Sequence, residues 1–145
     1  MDPYGTFNGV LVSLFNDIMA IEQKALITEE FKNISNNDMH IIEAIGKGEA
    51  KNMSTVAKTL KVTVGTLTIA INNLVKKGYV TRERSEEDRR VVLISLTESG
   101  IRAFEHHESF HKEMMSAILE NLDEDEQKIL TKALGNLKRY FKRYE

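Results

Sequence analysis

Four arginines, Arg82, Arg84, Arg89 and Arg90, fall within nine residues, and Asp88 stands beside the last two. A guanidinium is always charged and offers a flat fork of N–H donors, which suits phosphate oxygens and a narrow, electronegative minor groove. A neighbouring carboxylate can hold such an arginine in position. Just upstream lies a set of a different kind: Thr63, Gly65, Thr66, Thr68, Ile69, Asn72, Asn73 and Lys76, with Ser54 at the head of the preceding helix. Thr, Ser and Asn bond base edges or phosphates, Gly65 permits close backbone approach, and Ile69 can touch thymine methyl groups. Alone, the first set is a mixed-charge turn, since Glu86 and Glu87 sit in it, and the second a solvated helix face. Together, within one small module, they point to DNA.

A third constellation is chemically distinct. His107 and His111 are four residues apart on one helical face, a spacing that suits two ligands of one Zn²⁺. Glu22 and His40 complete a four-ligand set if their helices converge. The alternative is that these histidines are hydrogen-bonded, buried or interfacial groups. Catalysis finds no footing. There is no Cys, the four histidines keep no recognisable order with a Ser nucleophile, and Gly65 opens a helix without the rest of a phosphate-binding loop. The chain is read as a non-enzyme with no resident cofactor.

The bulk numbers agree with a regulatory module. The 145 residues suit one compact domain, and 41% hydrophobic content supports a real core. Without cysteine, disulfides and thiolate chemistry are excluded. The formal net charge of −2 argues against an anionic partner, but its distribution reverses that impression. Lys51 to Arg102 holds ten basic and five acidic residues, net +5; the rest holds ten and seventeen, net −7. A basic middle between acidic ends fits an anionic partner for the middle alone. No apolar run approaches membrane-spanning length and no signal pattern opens the chain, so a cytoplasmic protein with no membrane partner is expected.

The elements that must carry these residues follow from periodicity and caps. Phe7, Leu11, Leu14, Ile18 and Ile21 recur at helical spacing from about Phe7 to Ile27. Asp38 is expected to cap a short helix through Ile45, stopped by Gly46 and Gly48. A third helix, Met53 to Leu60, packs through Val56, Ala57 and Leu60. Thr63 caps a fourth, which buries Val64, Leu67, Ile71 and Leu74 and stops at Gly78. "YVTRER" and "VVLISL" read as two strands around the tip "SEEDRR". Thr97 caps a long helix to about Asn121, and Asp123 with Glu126 forms a capping box for the last. The expected fold is mainly α with a small β-hairpin, a winged helix-turn-helix with long N- and C-terminal helices. Residues 1–145 form a single domain: 36–97 the DNA-binding lobe, 1–35 and 98–145 a helical dimerisation region. The first helix and Ile129, Leu130, Ala133, Leu134, Leu137, Tyr140 and Phe141 of the last carry more apolar surface than one small module buries. A homodimer would cover it; a monomeric mini-bundle is the alternative.

The run "DRRVVLISLTESG" resembles the wing signature of the MarR family of bacterial transcription regulators, D-x-R followed by an apolar strand and L-T-x-x-G. Asp88, Arg90, Leu96, Thr97 and Gly100 fit it, and the flanking helices match the family layout. The resemblance implies a homodimer on a pseudo-palindromic operator, usually as a repressor. It implies Arg90 as the minor-groove arginine with Asp88 its brace, and Thr63, Thr66, Thr68 and Asn72 in the major groove. The wider pattern "MHIIEAIG", "VTVGTLTIAINNLVKKGYV" and "RRVVLISLT" is similar to the fatty-acid-synthesis repressor (FabT-like) branch. That branch implies a long-chain acyl group on acyl carrier protein as co-repressor. Leu14, Phe15, Ile18, Met19, Phe104, Phe110 and Met114 could line an acyl tunnel, or be plain core or dimer interface. Glu22, His40, His107 and His111 look like positions used by the family's zinc-sensing branch, although "EHHESFHKE" lacks that branch's longer histidine run.

Overall fold

A computed structural model describes residues 2–26, 28 and 30–144. The helices are α1 (Pro3–Leu26), α2 (Asn36–Ile45), α3 (Met53–Leu60), α4 (Val64–Lys77), α5 (Glu98–Glu120) and α6 (Glu124–Phe141), with a short 3-10 turn at Lys142–Tyr144. Ile27, the expected end of the first helix, lies outside the described residues.

The sheet differs from expectation. It has three antiparallel strands in the order β1-β3-β2: β1 (Lys51–Asn52), β2 (Val80–Arg84) and β3 (Val92–Leu96). The hairpin is there, with Val80 opposite Leu96 and Arg84 opposite Val92. The two-residue β1 adds an edge, pairing Lys51 with Ile94 and Asn52 with Leu93. So short a strand has no alternation of its own to read. It is fixed by its partner and by the Lys51 ammonium, which bonds Ala44 O at 3.0 Å.

Contacts divide the chain into two compact units, Met1–His107 and Glu108–Glu145. In the first, α4 buries Leu67, Ile71 and Leu74, one line at helical spacing. Val64, expected in that line, is 44% exposed because the first turn of α4 projects beyond the core. Met39, Ile42 and Ile45 of α2, Val56 and Ala57 of α3, and Ile94 of β3 close around it. Leu60 is only partly buried. Each fully buried Leu, Ile, Val or Met among them contributes about 1.5–3 kcal/mol.

Local signals place the helix ends. Ser35, not Asp38, is the N-cap of α2; Asp38 is the third helical residue and completes a capping box with Ser35. α3 ends in the left-handed Lys61 (φ 58°), and the Val62 N–H closes on Ala57 O at 3.0 Å. α4 ends likewise at Gly78 (φ 87°). The Thr97 hydroxyl donates to Gly78 O at 2.6 Å and accepts from the Gly100 N–H at 3.1 Å, which starts α5 over the end of α4.

In the second unit the Asp123–Glu126 capping box opens α6. None of the α6 residues is buried in the single chain, although Ile129, Leu134 and Phe141 are apolar. Among the described residues no helix is long and apolar enough to cross a membrane.

Candidate nucleic-acid interface

The first turn of α4 is held from inside. The Thr63 oxygen accepts from the Thr66 N–H at 3.1 Å, and the Thr63 hydroxyl donates to the Thr66 oxygen at 3.0 Å. α3 is capped in the same way by Asn52, whose carbonyl accepts from the Thr55 N–H at 2.8 Å. These caps aim two helix starts, with Ser54 exposed on one and Thr63, Gly65 and Thr66 exposed on the other.

Ile69, Asn73 and Lys76 are also exposed, whereas Thr68 and Asn72 are half-buried on the edge facing the wing. Ile69 stays 68% exposed, an apolar side chain the core does not claim. A Cβ on Gly65 would meet only the Thr63 oxygen, at 3.9 Å, so nothing inside the chain demands glycine there. An outside partner that approaches closely would demand it.

The wing is closed by Ser85 N–H to Val91 O (2.8 Å), Val91 N–H to Asp88 O (2.9 Å) and Arg84 Nη1 to Arg89 O (2.8 Å). Its tip carries a two-pronged pair, Arg90 Nε to Asp88 Oδ1 and Arg90 Nη2 to Asp88 Oδ2, both at 3.1 Å. The Arg90 backbone N–H also bonds Oδ1 at 3.1 Å. These bonds, the guanidinium's first, hold the Asp88 carboxyl below its ordinary range. The Arg90 side chain nevertheless stays 91% exposed, braced and presented outward. Arg89 is exposed beside it.

Between α3, α4 and the wing runs an open groove of about 670 Å³, lined by Ser54, Thr68, Arg82, Arg84 and Arg90 among others. The sequence-predicted residues of two separate elements are therefore brought to one surface. Asn52, Val64 and Val92 also line it and were not anticipated. Asn52 was signalled by its place before a helix, as a cap. Arg82 reaches from β2 to α4 and donates through Nη1 to Asn72 Oδ1.

The remaining candidates are placed differently. Leu14 and Phe15 are exposed in the single chain; Ile18, Met19 and Phe104 are half-buried. Phe110 and Met114, both half-buried, belong to the second unit, as does His111. Of the four metal candidates, Glu22 and His107 are buried in the first unit with ligand atoms within 4.8 Å of one another. His40 is exposed. The acidic partner of His107 on α2 is Glu43, with Oε1 2.7 Å from Nε2.

Comparison with known proteins matches residues 23–107 to the family model "Transcriptional regulator SarA/Rot". The chain belongs to this SarA/Rot family of MarR-type transcription regulators. Its structure is similar to that of FabT from Streptococcus pneumoniae solved in complex with DNA: TM-score 0.92, 41% identity, 98% of this chain and 99% of that one. Curated relatives include the transcriptional repressor YetL of Bacillus subtilis (strain 168), 34% identical over 57% of this chain and 49% of YetL. SarZ of Staphylococcus haemolyticus (strain JCSC1435) is 44% identical over 42% of each. The matched segments thus span about half the length of these curated relatives. All of them are regulators of transcription rather than enzymes.

Proposed function

We propose that this SarA/Rot-family regulator is a repressor that binds a pseudo-palindromic operator as a homodimer and controls fatty-acid-synthesis genes in the cytoplasm, with long-chain acyl-acyl carrier protein as co-repressor. The observation that carries the DNA part is the exposed Arg90, braced by Asp88, across one groove from the polar edge of α4. The metabolic part rests on likeness to FabT along almost the whole chain. α4 enters the major groove with Thr63, Thr66, Thr68 and Asn72, and Arg90 enters the adjacent minor groove. Gly65, Ile69, Asn73 and Lys76 complete the helix face, with Arg82 bonded to Asn72 at its edge; Ser54, Arg84 and Arg89 meet phosphates. Affinity comes largely from phosphate contacts and falls with salt.

Dimerisation is supported by the apolar side chains that α1 and α6 leave uncovered. Two recognition helices about 34 Å apart then read half-sites one turn of DNA apart. An effector acts only by binding the competent spacing better than others.

The test is a DNA-binding titration on metal-free protein, alone, with long-chain acyl-acyl carrier protein, and with Zn²⁺. Tightening by the acyl protein alone is expected. A response to Zn²⁺ that disappears in His107→Ala would replace this reading with metal sensing. In the same assay Arg90→Ala is expected to lose about 1–3 kcal/mol; unchanged affinity in a folded dimer would remove Arg90 from the interface.

A further inference from the structure

The bond between Arg82 and Asn72 sets what the recognition helix can read. We infer that Arg82 is a positioning residue: it orients the Asn72 amide so that this edge of α4 offers hydrogen-bond donors and selects guanine at the base pair Asn72 meets. The inference rests on the DNA-binding reading above and deepens it.

The chemistry is directional. A guanidinium has donors and no acceptor, so the Asn72 atom that receives Arg82 Nη1 is the carbonyl Oδ1. That settles which way the amide faces. One of the two lone pairs on Oδ1 is taken, and a positive charge stands beside the other. The Asn72 nitrogen keeps its N–H groups for an outside partner, with no other bond among the described residues. The remaining N–H groups of the exposed Arg82 point to the same kind of partner. Adenine and cytosine offer amino groups in the major groove and would meet this cation with a donor. Thymine offers one acceptor, O4, beside an apolar methyl group. Guanine offers two acceptors, N7 and O6, enough for both the Asn72 and the Arg82 N–H groups.

Thr68, one turn earlier on the same half-buried edge, has the opposite polarity. Its hydroxyl proton goes to Val64 O at 2.8 Å, so it presents lone pairs and a methyl group. The edge thus reads acceptor at Thr68 and donor at Asn72. Arg82 and Asn72 are joined across the turn between α4 and β2, so the wing and the recognition helix form one reading surface.

The experiment selects a preferred duplex from a random pool with the wild-type chain. Each guanine is then replaced in turn by 7-deazaguanine, which lacks the N7 acceptor. Affinities are measured for wild type, Arg82→Ala, Asn72→Ala and the double variant, together with their salt slopes. One 7-deazaguanine should weaken wild-type binding roughly tenfold. Both single variants should lose the preference at that position, and the double variant should lose no more than either. A merely phosphate-binding Arg82 would behave otherwise: Arg82→Ala would weaken all duplexes equally, lower the salt slope by about one and keep the 7-deazaguanine sensitivity. That result overturns the inference, as does loss of preference in Asn72→Ala alone. Failure of the wild-type chain to select any sequence overturns the DNA-binding reading itself, and this inference with it.

Discussion

The guanidinium of Arg90 meets both carboxylate oxygens of Asp88 at 3.1 Å while remaining open to solvent. An exposed ion pair contributes little to stability. Its effect here is on order: it keeps a long cationic side chain from sampling many rotamers before DNA arrives. Asp88→Asn therefore separates two expectations. If the wing meets DNA as proposed above, removing a negative charge from it should strengthen binding by simple charge count. Loss of the brace should weaken it, because the guanidinium then gives up its rotamer freedom on binding. Weaker binding, read in a fluorescence anisotropy titration, is the expected result.

The same pair predicts a pH signature. Asp88 is held below its ordinary carboxylate value by the Arg90 side chain first and the Arg90 backbone N–H second. A depressed carboxylate contributes above its unfolded value and is lost as pH falls through its folded value. The brace is therefore constant around neutral pH and dissolves only in acid, below about pH 3.9. Carboxyl NMR of Asp88 should titrate below that value in the wild type and move upward in Arg90→Ala. Identical midpoints would mean that the pair does not exist in solution.

Gly100 makes the sharpest stability prediction. A Cβ there would lie 2.1 Å from Tyr79 O and 3.2 Å from Leu96 Cβ, and the backbone carbonyl cannot swing away. Tyr79 O already accepts the Thr97 N–H at 3.0 Å. In an exposed helix Gly→Ala is stabilising by about 0.5–1 kcal/mol. Gly100→Ala should instead destabilise by about 1–3 kcal/mol, as overpacking does. Urea unfolding followed by circular dichroism gives the sign directly.

What could be read from the sequence was local. Thr63, Gly78, Thr97 and the Asp123–Glu126 box lie within a few residues of the groups they cap, and the structure places them as expected. The errors came from effects that join distant residues or depend on direction. β1 is defined by β3, some forty residues on. Val64 fits the apolar line of α4, but the core ends before it. Asp38 was the right acidic signal for α2, three residues inside the cap it completes. In the candidate interface, residue types singled out Arg90 and the α4 face, and the structure brings the two to one groove. The Arg82–Asn72 bond was invisible, because both were read as independent contacts to DNA.

The pairing of His107 with Glu43 rather than His40 has a measurable consequence. His107 is buried and its Nε2 lies 2.7 Å from Glu43 Oε1, whereas His40 faces solvent. Glu43→Ala should cost about 0.5–1.5 kcal/mol, as loss of one hydrogen bond to a buried group does. His40→Ala should stay within about 0.5 kcal/mol of wild type. Equal costs in urea unfolding would mean that α2 presents a different face to α5.

The uncovered apolar side chains of the two terminal helices lead to the last prediction. Phe15 on α1 is 63% exposed and Ile129 on α6 is 69% exposed, so neither is needed by the fold of the single chain. Covering such a side chain contributes about 1.5–3 kcal/mol. A lysine at either position leaves the chain free to fold and forfeits that gain, with a charge to desolvate as well. Phe15→Lys and Ile129→Lys should keep wild-type helicity while sedimentation velocity shifts from dimer towards monomer. DNA binding should fall with the dimer fraction, because a monomer engages one half-site instead of two. Recovery of binding at higher protein concentration would tie the loss to assembly. A wild-type chain that sediments as a monomer at tens of micromolar, or variants that stay dimeric, would assign these faces to another partner.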